Sequence, residues 1–242
     1  MNKLLINSEI MPIANALLTK LPAEVYLRIL NEGETVMLNF GEILYETGAF
    51  IHYVYFPNDA LISLLTTVEG HYAPEVGLVG HEGLVGIHLA LGVKTSQMRV
   101  IVQGAGLAIR LTSKYFIKEL EDNILLRKHV YIYIDALMAQ IAQTAACNRF
   151  HSIEARLARW LLMTRDRVCV NSFFLTHEFL GNLLGVRREG VTKAANSLRK
   201  KKLIKYRRGD ITIINPAGLA LSACLCYEKL RYSENLKILQ SI

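Results

Sequence analysis

The sequence predicts an α+β fold with a β-rich N-terminal part, one long helix and a mainly helical C-terminal part. Three observations carry this prediction: short apolar runs separated by glycines up to about residue 113, a segment Ile124–Phe150 without proline or glycine, and two short helical patterns that meet at Gly185. The chain of 242 residues is 52% hydrophobic and 20% charged. This composition is typical of globular proteins and excludes wholesale disorder.

Membrane and secretory segments are not expected. No apolar run approaches the ~18–20 residues that a membrane span needs, and Glu9 interrupts the apolar stretch near the N-terminus. The 4 cysteines are too few for a disulfide framework. We therefore expect a cytoplasmic protein that does not use a membrane as its partner.

The N-terminal part has the pattern of a β-sandwich or barrel. A helical spacing of apolar residues over 13–30 first predicts a short helical cap. Short runs rich in β-branched and aromatic residues then follow, with glycines between them. They predict strands at Ile51–Pro57, Ala60–Val68, Glu75–Val79 and Met98–Val102. Many short strands at such spacing favour a two-sheet or closed β domain.

Helical patterns begin after residue 113. Lys114–Glu121 predicts a short helix, and Ile124–Phe150 predicts a long one. Apolar residues recur along the long helix in alternating steps of four and three, the spacing of a coiled-coil seam between two copies of the chain. The predicted dimer interface consists of Leu126, Val130, Tyr133, Leu137, Ile141 and Thr144. A second apolar row beside it contains Ile132, Ile134, Met138, Ala142 and Ala145. A single buried core helix is the alternative interpretation.

The C-terminal third begins with a predicted hinge over 148–152 and a helix over Ile153–Arg167, and it is strongly basic. Residues 1–150 carry a net charge of −3 and residues 151–242 a net charge of +10, which together give the +7 of the whole chain. Lysine and arginine concentrated in one domain indicate a polyanionic partner such as nucleic acid. The alternative is that these charged side chains only make the surface of the domain hydrophilic.

Two short helices joined by a tight turn follow. Thr176 is a good N-cap for the first helix, Gly181 leaves room for the crossing, Gly185 provides the turn, and Arg187–Lys200 forms the second helix. Two alternating runs, separated by a basic turn with a glycine, then predict a β-hairpin. The pattern is that of a helix-turn-helix with a wing.

The second helix carries a polar face opposite its apolar one. An arginine can bind guanine O6 and N7 together, and a glutamate can accept a hydrogen bond from cytosine N4. Ordinary core packing of a helical hairpin would require no such face. The predicted DNA contacts are Thr176, Arg187, Arg188, Glu189, Thr192, Lys193, Arg199, Lys200 and Arg208.

In these motifs the sequence resembles the Crp–Fnr family of bacterial transcription regulators. The matching residues are Leu175–Glu178, Leu183–Val186, Arg188, Glu189, Val191, Leu198, Ile204, Tyr206, Arg208 and Gly209. The resemblance implies a double-stranded β-helix (jelly-roll-like) sensor domain over 1–122, a dimerisation helix over 123–150 and a winged helix-turn-helix domain over 151–242. It also implies Arg188, Glu189 and Lys193 as base and phosphate contacts.

Two residues depart from the pattern of that family. Arg187 stands where a serine or threonine often begins the second helix, so that an N-cap is exchanged for a cation. Gly190 lies inside the helix, where it costs roughly 0.5–1 kcal/mol relative to alanine.

The effector of the predicted sensor domain stays unidentified. Cyclic-nucleotide-binding relatives place a glutamate in the glycine-rich turn and an arginine further on, whereas Leu84 and Ser96 align with those positions here. We therefore do not expect cyclic AMP to bind, because a buried phosphate would lack its charge-assisted contact. The candidate effector contacts are Glu82, Gly83, Leu84, Gly86 and Arg99.

Metal and redox cofactors are not predicted. An iron–sulfur cluster needs four gathered thiolates, and no cysteine precedes Cys147. The pair Cys224 and Cys226 has ligand-like spacing, but without a nearby partner pair it predicts packing and not a metal. His177–Gly181 lacks the second histidine of a zinc-protease motif. The sequence leaves open whether a histidine ligates a haem. The candidate ligands are His52, His71, His81 and His88.

The sequence thus predicts a homodimeric, sequence-specific DNA-binding transcription regulator that binds a near-palindromic operator and responds to an unidentified effector in the β domain. Double-stranded DNA and a second copy of the chain are the expected partners, with RNA polymerase as a further candidate. The alternative is a small-molecule-binding regulatory module that acts through protein contacts, with a vestigial DNA-binding domain. An enzyme is not expected, because no nucleophile, base and oxyanion donor converge.

Overall fold

The computed structural model describes residues 14–68, 71–207 and 209–231, and for residues 68 and 71–73 it describes the backbone only. Arg208, one of the predicted DNA contacts, lies outside the described residues. None of the helices within these ranges combines the length and the apolar character that crossing a membrane requires.

The N-terminal part is built from two antiparallel sheets that share one core. In chain order its elements are α1 (Ala23–Glu32), β1 (Glu34–Leu38), β2 (Ile43–Tyr45), β3 (Tyr53–Pro57), β4 (Leu61–Val68), β5 (His71–Val79), a 3₁₀ helix (Ile87–Leu91), β6 (Arg99–Gly104) and β7 (Gly106–Thr112). The sheets have the strand orders β1-β7-β3 and β2-β6-β4-β5. This architecture confirms the predicted β domain. The strands β1 and β2 were not predicted, because they are short and mostly exposed and so show no apolar alternation.

Helices α2 (Ser113–Asp122) and α3 (Ile124–Phe150) follow almost where the sequence predicts them. Asn123 separates the two helices, and its Oδ1 accepts hydrogen bonds at 3.0 Å from the backbone N–H groups of Leu125 and Leu126. The cap therefore ends one helix and starts the next at a single residue. Of the predicted hinge over 148–152, only His151 and Ser152 lie outside a helix, between α3 and α4 (Ile153–Val168).

The row of α3 that the sequence predicts as the dimer seam faces the β domain of its own chain. Gly77 and Gly83 show this close approach: a Cβ at Gly77 would lie 3.4 Å from Leu137 Cδ1, and one at Gly83 would lie 2.2 Å from the Tyr133 ring. Gln140 on the same side exchanges two hydrogen bonds with the backbone of Leu78. The predicted seam residues are buried within the protomer, apart from the half-buried Ile141: Leu126, Val130, Tyr133, Leu137, Ile141 and Thr144. Within one protomer these side chains therefore pack against the β domain and leave little surface for a second copy.

A different row of α3 is open to solvent. It repeats in the same alternating steps of four and three, and it comprises Tyr131, Asp135, Met138, Ala142 and Ala145. Tyr131 is 49% exposed and Met138 is 63% exposed, both large apolar side chains on a helix surface. Met138, Ala142 and Ala145 belong to the second apolar row seen in the sequence. Two rows with heptad spacing lie on one helix, and only the fold shows which of them is already covered.

The C-terminal part has the predicted winged helix-turn-helix architecture. After α4 come β8 (Ser172–Phe174), α5 (His177–Leu184), α6 (Arg188–Lys200), β9 (Ile204–Arg207), β10 (Asp210–Ile213) and α7 (Pro216–Ser222). The strands form one antiparallel sheet in the order β8-β10-β9. The sequence predicted the hairpin of β9 and β10, but not the three-residue strand β8 or the helix α7.

Polar contacts from β4, β5 and the glycine-rich turn to α4 join the N-terminal and C-terminal parts of the chain. The indole Nε1 of Trp160 in α4 donates a 3.0 Å hydrogen bond to Glu75 Oε1, and Ser63 Oγ donates to the other oxygen of that carboxyl at 2.6 Å. Arg167 forms a 2.8 Å ion pair with Glu82 in the glycine-rich turn. Burial raises the pKa of Glu75 to about 7, although both hydrogen bonds and the nearby Arg159 and Arg167 lower it.

The raised pKa of Glu75 predicts a pH-dependent stability. The folded protein retains the carboxyl proton up to about pH 7, whereas the unfolded chain loses it near pH 4.3. The free energy of unfolding should therefore fall as pH rises between these values, because the folded state binds the extra proton. Glu75→Gln should raise the free energy of unfolding at pH 8 by about 1–3 kcal/mol, and should change it little at pH 4.

Urea titrations at pH 4, 6 and 8 measure this difference. Glu82→Gln is the matched control, because Glu82 is an ion-paired carboxylate at the same junction and its loss should give no gain at pH 8. An equal effect of Glu75→Gln at all three pH values would contradict the buried-proton explanation.

Candidate nucleic-acid interface

The turn between α5 and α6 has the close packing that its glycines predict. Thr176 caps α5, where its Oγ1 accepts a 3.2 Å hydrogen bond from the Phe179 N–H. Gly185 ends the helix in the left-handed region with φ +62°. A Cβ at Gly181 would lie 2.9 Å from the Val186 carbonyl oxygen. Each of these positions therefore has the local role that the sequence motif assigned to it.

Gly190 has a packing role that the sequence did not show. A Cβ at this position would lie 2.8 Å from Ile153 Cδ1 at the start of α4. The glycine thus lets the first turn of α6 approach α4. This close packing offsets the low helix propensity of glycine. Arg187 precedes the helix without a side-chain capping hydrogen bond, as expected for a residue that exchanges a cap for a cation.

The polar face of α6 is open to solvent along its whole length. The apolar face packs inward through Val191, Ala194, Ala195 and Leu198. Opposite it, at successive steps of four, three and four, lie the exposed side chains of Glu189, Lys193, Asn196 and Lys200. Arg187, Arg188 and Arg199 are also exposed beside this row.

Asn196 was missed by the sequence analysis. Its place at the centre of the exposed row follows from helical spacing alone, three residues after Lys193, so the signal was present. An asparagine can bind adenine N6 and N7 together, as an arginine binds guanine. The outward row therefore offers donors and acceptors for more than one kind of base pair.

Thr192 is engaged within the protein, unlike its neighbours on α6. Its hydroxyl lies 3.0 Å from the Arg188 carbonyl oxygen and 2.9 Å from His177 Nδ1. The His177 ring stacks on Tyr206 of the wing with centroids 4.1 Å apart. Burial, and then the nearby Arg188 charge, lowers the pKa of His177, which favours the neutral ring. Thr192 and His177 thus connect α5, α6 and the wing.

The positive charge of this part is distributed less simply than the sequence suggests. Arg156, Arg159 and Arg167 are buried in α4 and add nothing to an outer surface. Lys201 is paired with Glu154 at 2.5 Å. The wing adds two exposed cations that the sequence analysis did not include, Lys205 and Arg207. Both α6 and the wing therefore contribute exposed cations near the helix-turn-helix.

The candidate effector contacts do not converge on one site. Leu84, Gly86 and Ser96 line a cavity of about 10 Å³ in the β domain, which corresponds to about one water molecule. Ligand pockets usually measure ~300–1,000 Å³. Glu82 instead pairs with Arg167, and Arg99 pairs with Glu46 at 3.5 Å. Gly83 packs under Tyr133. The cavity that Leu84, Gly86 and Ser96 line is therefore too small for a nucleotide.

A larger cleft lies between the β domain and the winged part, and no sequence pattern indicated it. Its volume is about 410 Å³, and its apolar lining includes Phe40, Leu61 and Phe173. Two buried polar atoms belong to its lining residues, Nε2 of Gln103 and Oγ1 of Thr164. Neither has a hydrogen-bond partner in the described parts of the chain. The cleft therefore has an apolar wall, and the two polar atoms are shielded from its open space.

Comparison with known proteins agrees with this architecture. Residues 155–221 match the family model of the Crp-like helix-turn-helix domain. Among curated proteins, none matches the sequence. The fold is similar to that of FixK2 from Bradyrhizobium japonicum, with a TM-score of 0.68 at 13% identity over 79% of this chain and 98% of that one.

Two further solved structures show the same likeness of fold. A CRP-family transcriptional regulator from Thermus thermophilus has a TM-score of 0.64 at 19% identity, covering 78% of this chain and 97% of that one. The c-di-GMP-responsive regulator CLP from Xanthomonas campestris has a TM-score of 0.59 at 12% identity, covering 79% and 99%. Residues 155–221 thus form a Crp-like helix-turn-helix domain, as the sequence motifs predicted, and the fold of the chain is similar to that of these regulators.

Proposed function

We propose that this protein binds a near-palindromic DNA operator as a homodimer and reads it with α6. The observation that carries the proposal is the exposed row of Glu189, Lys193, Asn196 and Lys200, set opposite the buried apolar face of the same helix. Such a row presents hydrogen-bonding groups that can reach base edges in the major groove. We assign no catalytic activity to the chain.

Phosphate contacts would come from the exposed cations around that row. Arg187 and Arg199 flank it on α6, while Lys205 and Arg207 lie on the wing. The Thr176 hydroxyl at the N-terminus of α5 can donate a hydrogen bond to a phosphate oxygen. The positive end of the helix dipole attracts the same oxygen. These contacts, together with Lys200 at the C-terminal end of the outward row, fix the position of the helix on the duplex and leave the reading of bases to the other residues of the row.

The homodimer would form through the open row of α3, with Tyr131, Met138 and Ala142 at its seam. Its covered row keeps α3 attached to the β domain of the same protomer. A two-fold axis along α3 would present two copies of α6 to half-sites about one helical turn apart. In this proposal the domains span 1–122, 123–150 and 151–242, and RNA polymerase is the partner through which operator binding changes transcription.

Selection of duplexes from a random pool by the full chain tests the proposal. We expect enrichment of an inverted repeat and nanomolar affinity that falls steeply as salt rises, because neutralised phosphates release counterions. A vestigial DNA-binding domain would give no enriched sequence. Affinity for the selected operator that barely changes with salt would contradict the proposed cationic surface.

The effector of the proposed regulator would bind in the cleft between the two parts, and not in the filled β domain. The cleft has room for a small molecule. Its apolar lining favours an apolar compound. Thermal-shift screening with fatty acids of graded length tests this, and Phe40→Ala, which removes part of the apolar lining, should reduce the shift that a fitting compound produces. An equal shift in the variant would contradict the placement.

A further inference from the structure

Four potential metal ligands meet where α3 ends. Cys147, His151, Cys224 and Cys226 each contribute one ligand atom, and these atoms all lie within 4.8 Å of one another. Cys147 Sγ is 3.4 Å from Cys224 Sγ, and His151 Nδ1 is 3.6 Å from Cys226 Sγ. In the sequence only the two thiols after α7 stand close together, and their pattern predicted packing. Folding brings a third thiol and an imidazole to them across more than seventy residues.

The cluster joins two regions that the hinge separates. Cys147 lies in the last turn of α3, and His151 is the residue after its end. Cys224 and Cys226 follow α7 of the winged part, and both are buried. The chain between the pairs contains the turn at Ser152 and the whole winged part. Anything bound by all four side chains would therefore hold the winged part against α3.

The distances fit a tetrahedral zinc ion. With Zn–S bonds of about 2.3 Å and Zn–N bonds of about 2.0 Å, tetrahedral ligands lie roughly 3.5–3.8 Å apart. The two separations of 3.4 Å and 3.6 Å in the cluster are close to these values. Three thiolates and one imidazole form a ligand set that closes a structural zinc site without an open position. The small spread of the four ligand atoms suits a single ion and not an iron–sulfur cluster.

The surroundings suit a negatively charged metal site. Three thiolates with Zn²⁺ carry a net charge of about −1. Arg156 and Arg159 are buried nearby, and the charge of each acts on Cys147 and Cys224. Gln143 Nε2 donates a 3.0 Å hydrogen bond to Cys226 Sγ. Hydrogen bonds of this kind orient a ligand and stabilise its thiolate.

We propose that Cys147, His151, Cys224 and Cys226 bind one Zn²⁺ ion, which fixes the winged part to the end of α3. A disulfide between Cys147 and Cys224 is the competing use of the cluster, but it leaves His151 and Cys226 without a role. The zinc site is independent of the proposed reading of DNA, since it requires only these four side chains.

Metal analysis of the full chain tests the site. The protein is purified under reducing conditions, dialysed against metal-free buffer and analysed for zinc and iron. We expect one zinc per chain. Replacement of zinc by Co²⁺ should give thiolate-to-cobalt charge-transfer bands and the intense d–d bands of tetrahedral coordination. Iron in place of zinc, or no bound metal and no such bands after reconstitution, would overturn the proposal.

Ligand variants identify the residues. Cys226→Ser and His151→Ala should each weaken zinc binding at least tenfold in competition with a chromogenic chelator. Cys169→Ser is the matched control, because Cys169 is an exposed thiol outside the cluster, and it should bind zinc like the original chain. His151 is exposed, so its replacement leaves the buried packing in place. Unchanged affinity in both ligand variants, or peptide mapping that finds Cys147 bonded to Cys224 in the reduced preparation, would contradict the site.

Discussion

Met138→Glu should convert the dimer into monomers while each protomer stays folded. Met138 is 63% exposed in the protomer and lies at the centre of the open row of α3. In the proposed dimer the two-fold axis would place two glutamates against each other in a dry seam. An uncompensated buried charge costs about 3–5 kcal/mol, so the dissociation constant should rise roughly 100–4,000-fold. Sedimentation velocity at micromolar concentration measures the change.

Two control variants separate assembly from folding. Met138→Leu keeps the seam apolar and should remain dimeric. Leu137→Glu, one position away, changes a side chain that is buried against the β domain. It should lower the melting temperature sharply instead of producing a folded monomer. A dimeric Met138→Glu variant, or a folded and monomeric Leu137→Glu variant, would show that the buried row is the interface after all.

The contrast between positions 137 and 138 shows how far the sequence determines this fold. The spacing of apolar residues predicted α3 to the residue, because a long helix without proline or glycine leaves few alternatives. It could not assign the two rows of α3, since each is apolar and each repeats in heptads. The contacts of Tyr133 with Gly83 and of Leu137 with Gly77 determine which row faces the β domain. These glycines are far from α3 in the sequence.

The same limit applies to the candidate sites. The helix-turn-helix could be predicted because its capping residue, turn glycine and polar face are local in sequence. In contrast, the Lys201 ammonium forms an ion pair with Glu154 of α4, and the Thr192 hydroxyl is within hydrogen-bond distance of His177 Nδ1. The ligands of the cysteine cluster lie on two segments separated by the whole winged part. Local patterns therefore predicted which element would read DNA, but not which of its side chains stay available.

Single substitutions in α6 should distinguish the side chains that contact bases from those that bind phosphates. Asn196 lies in the middle of the outward row, whereas Lys200 lies at the C-terminal end of the helix. Asn196→Ala should cost roughly 1–3 kcal/mol on the selected operator and relax the preference at one base pair, with little change on random DNA. Arg188→Ala should behave similarly, since Arg188 is exposed in the first turn of the helix.

Lys200→Ala should instead weaken binding to the operator and to random DNA by similar factors. It should also make the salt dependence shallower by about one unit, because one fewer counterion is released. Lys201→Ala is the matched control: its ammonium is paired with Glu154, so its removal should change both affinities less than Lys200→Ala does. Competition titrations on both DNAs at several salt concentrations measure all four variants. If Asn196→Ala weakened operator and random DNA equally, the outward row would contact only the backbone, and α6 would lie in the groove at a different angle.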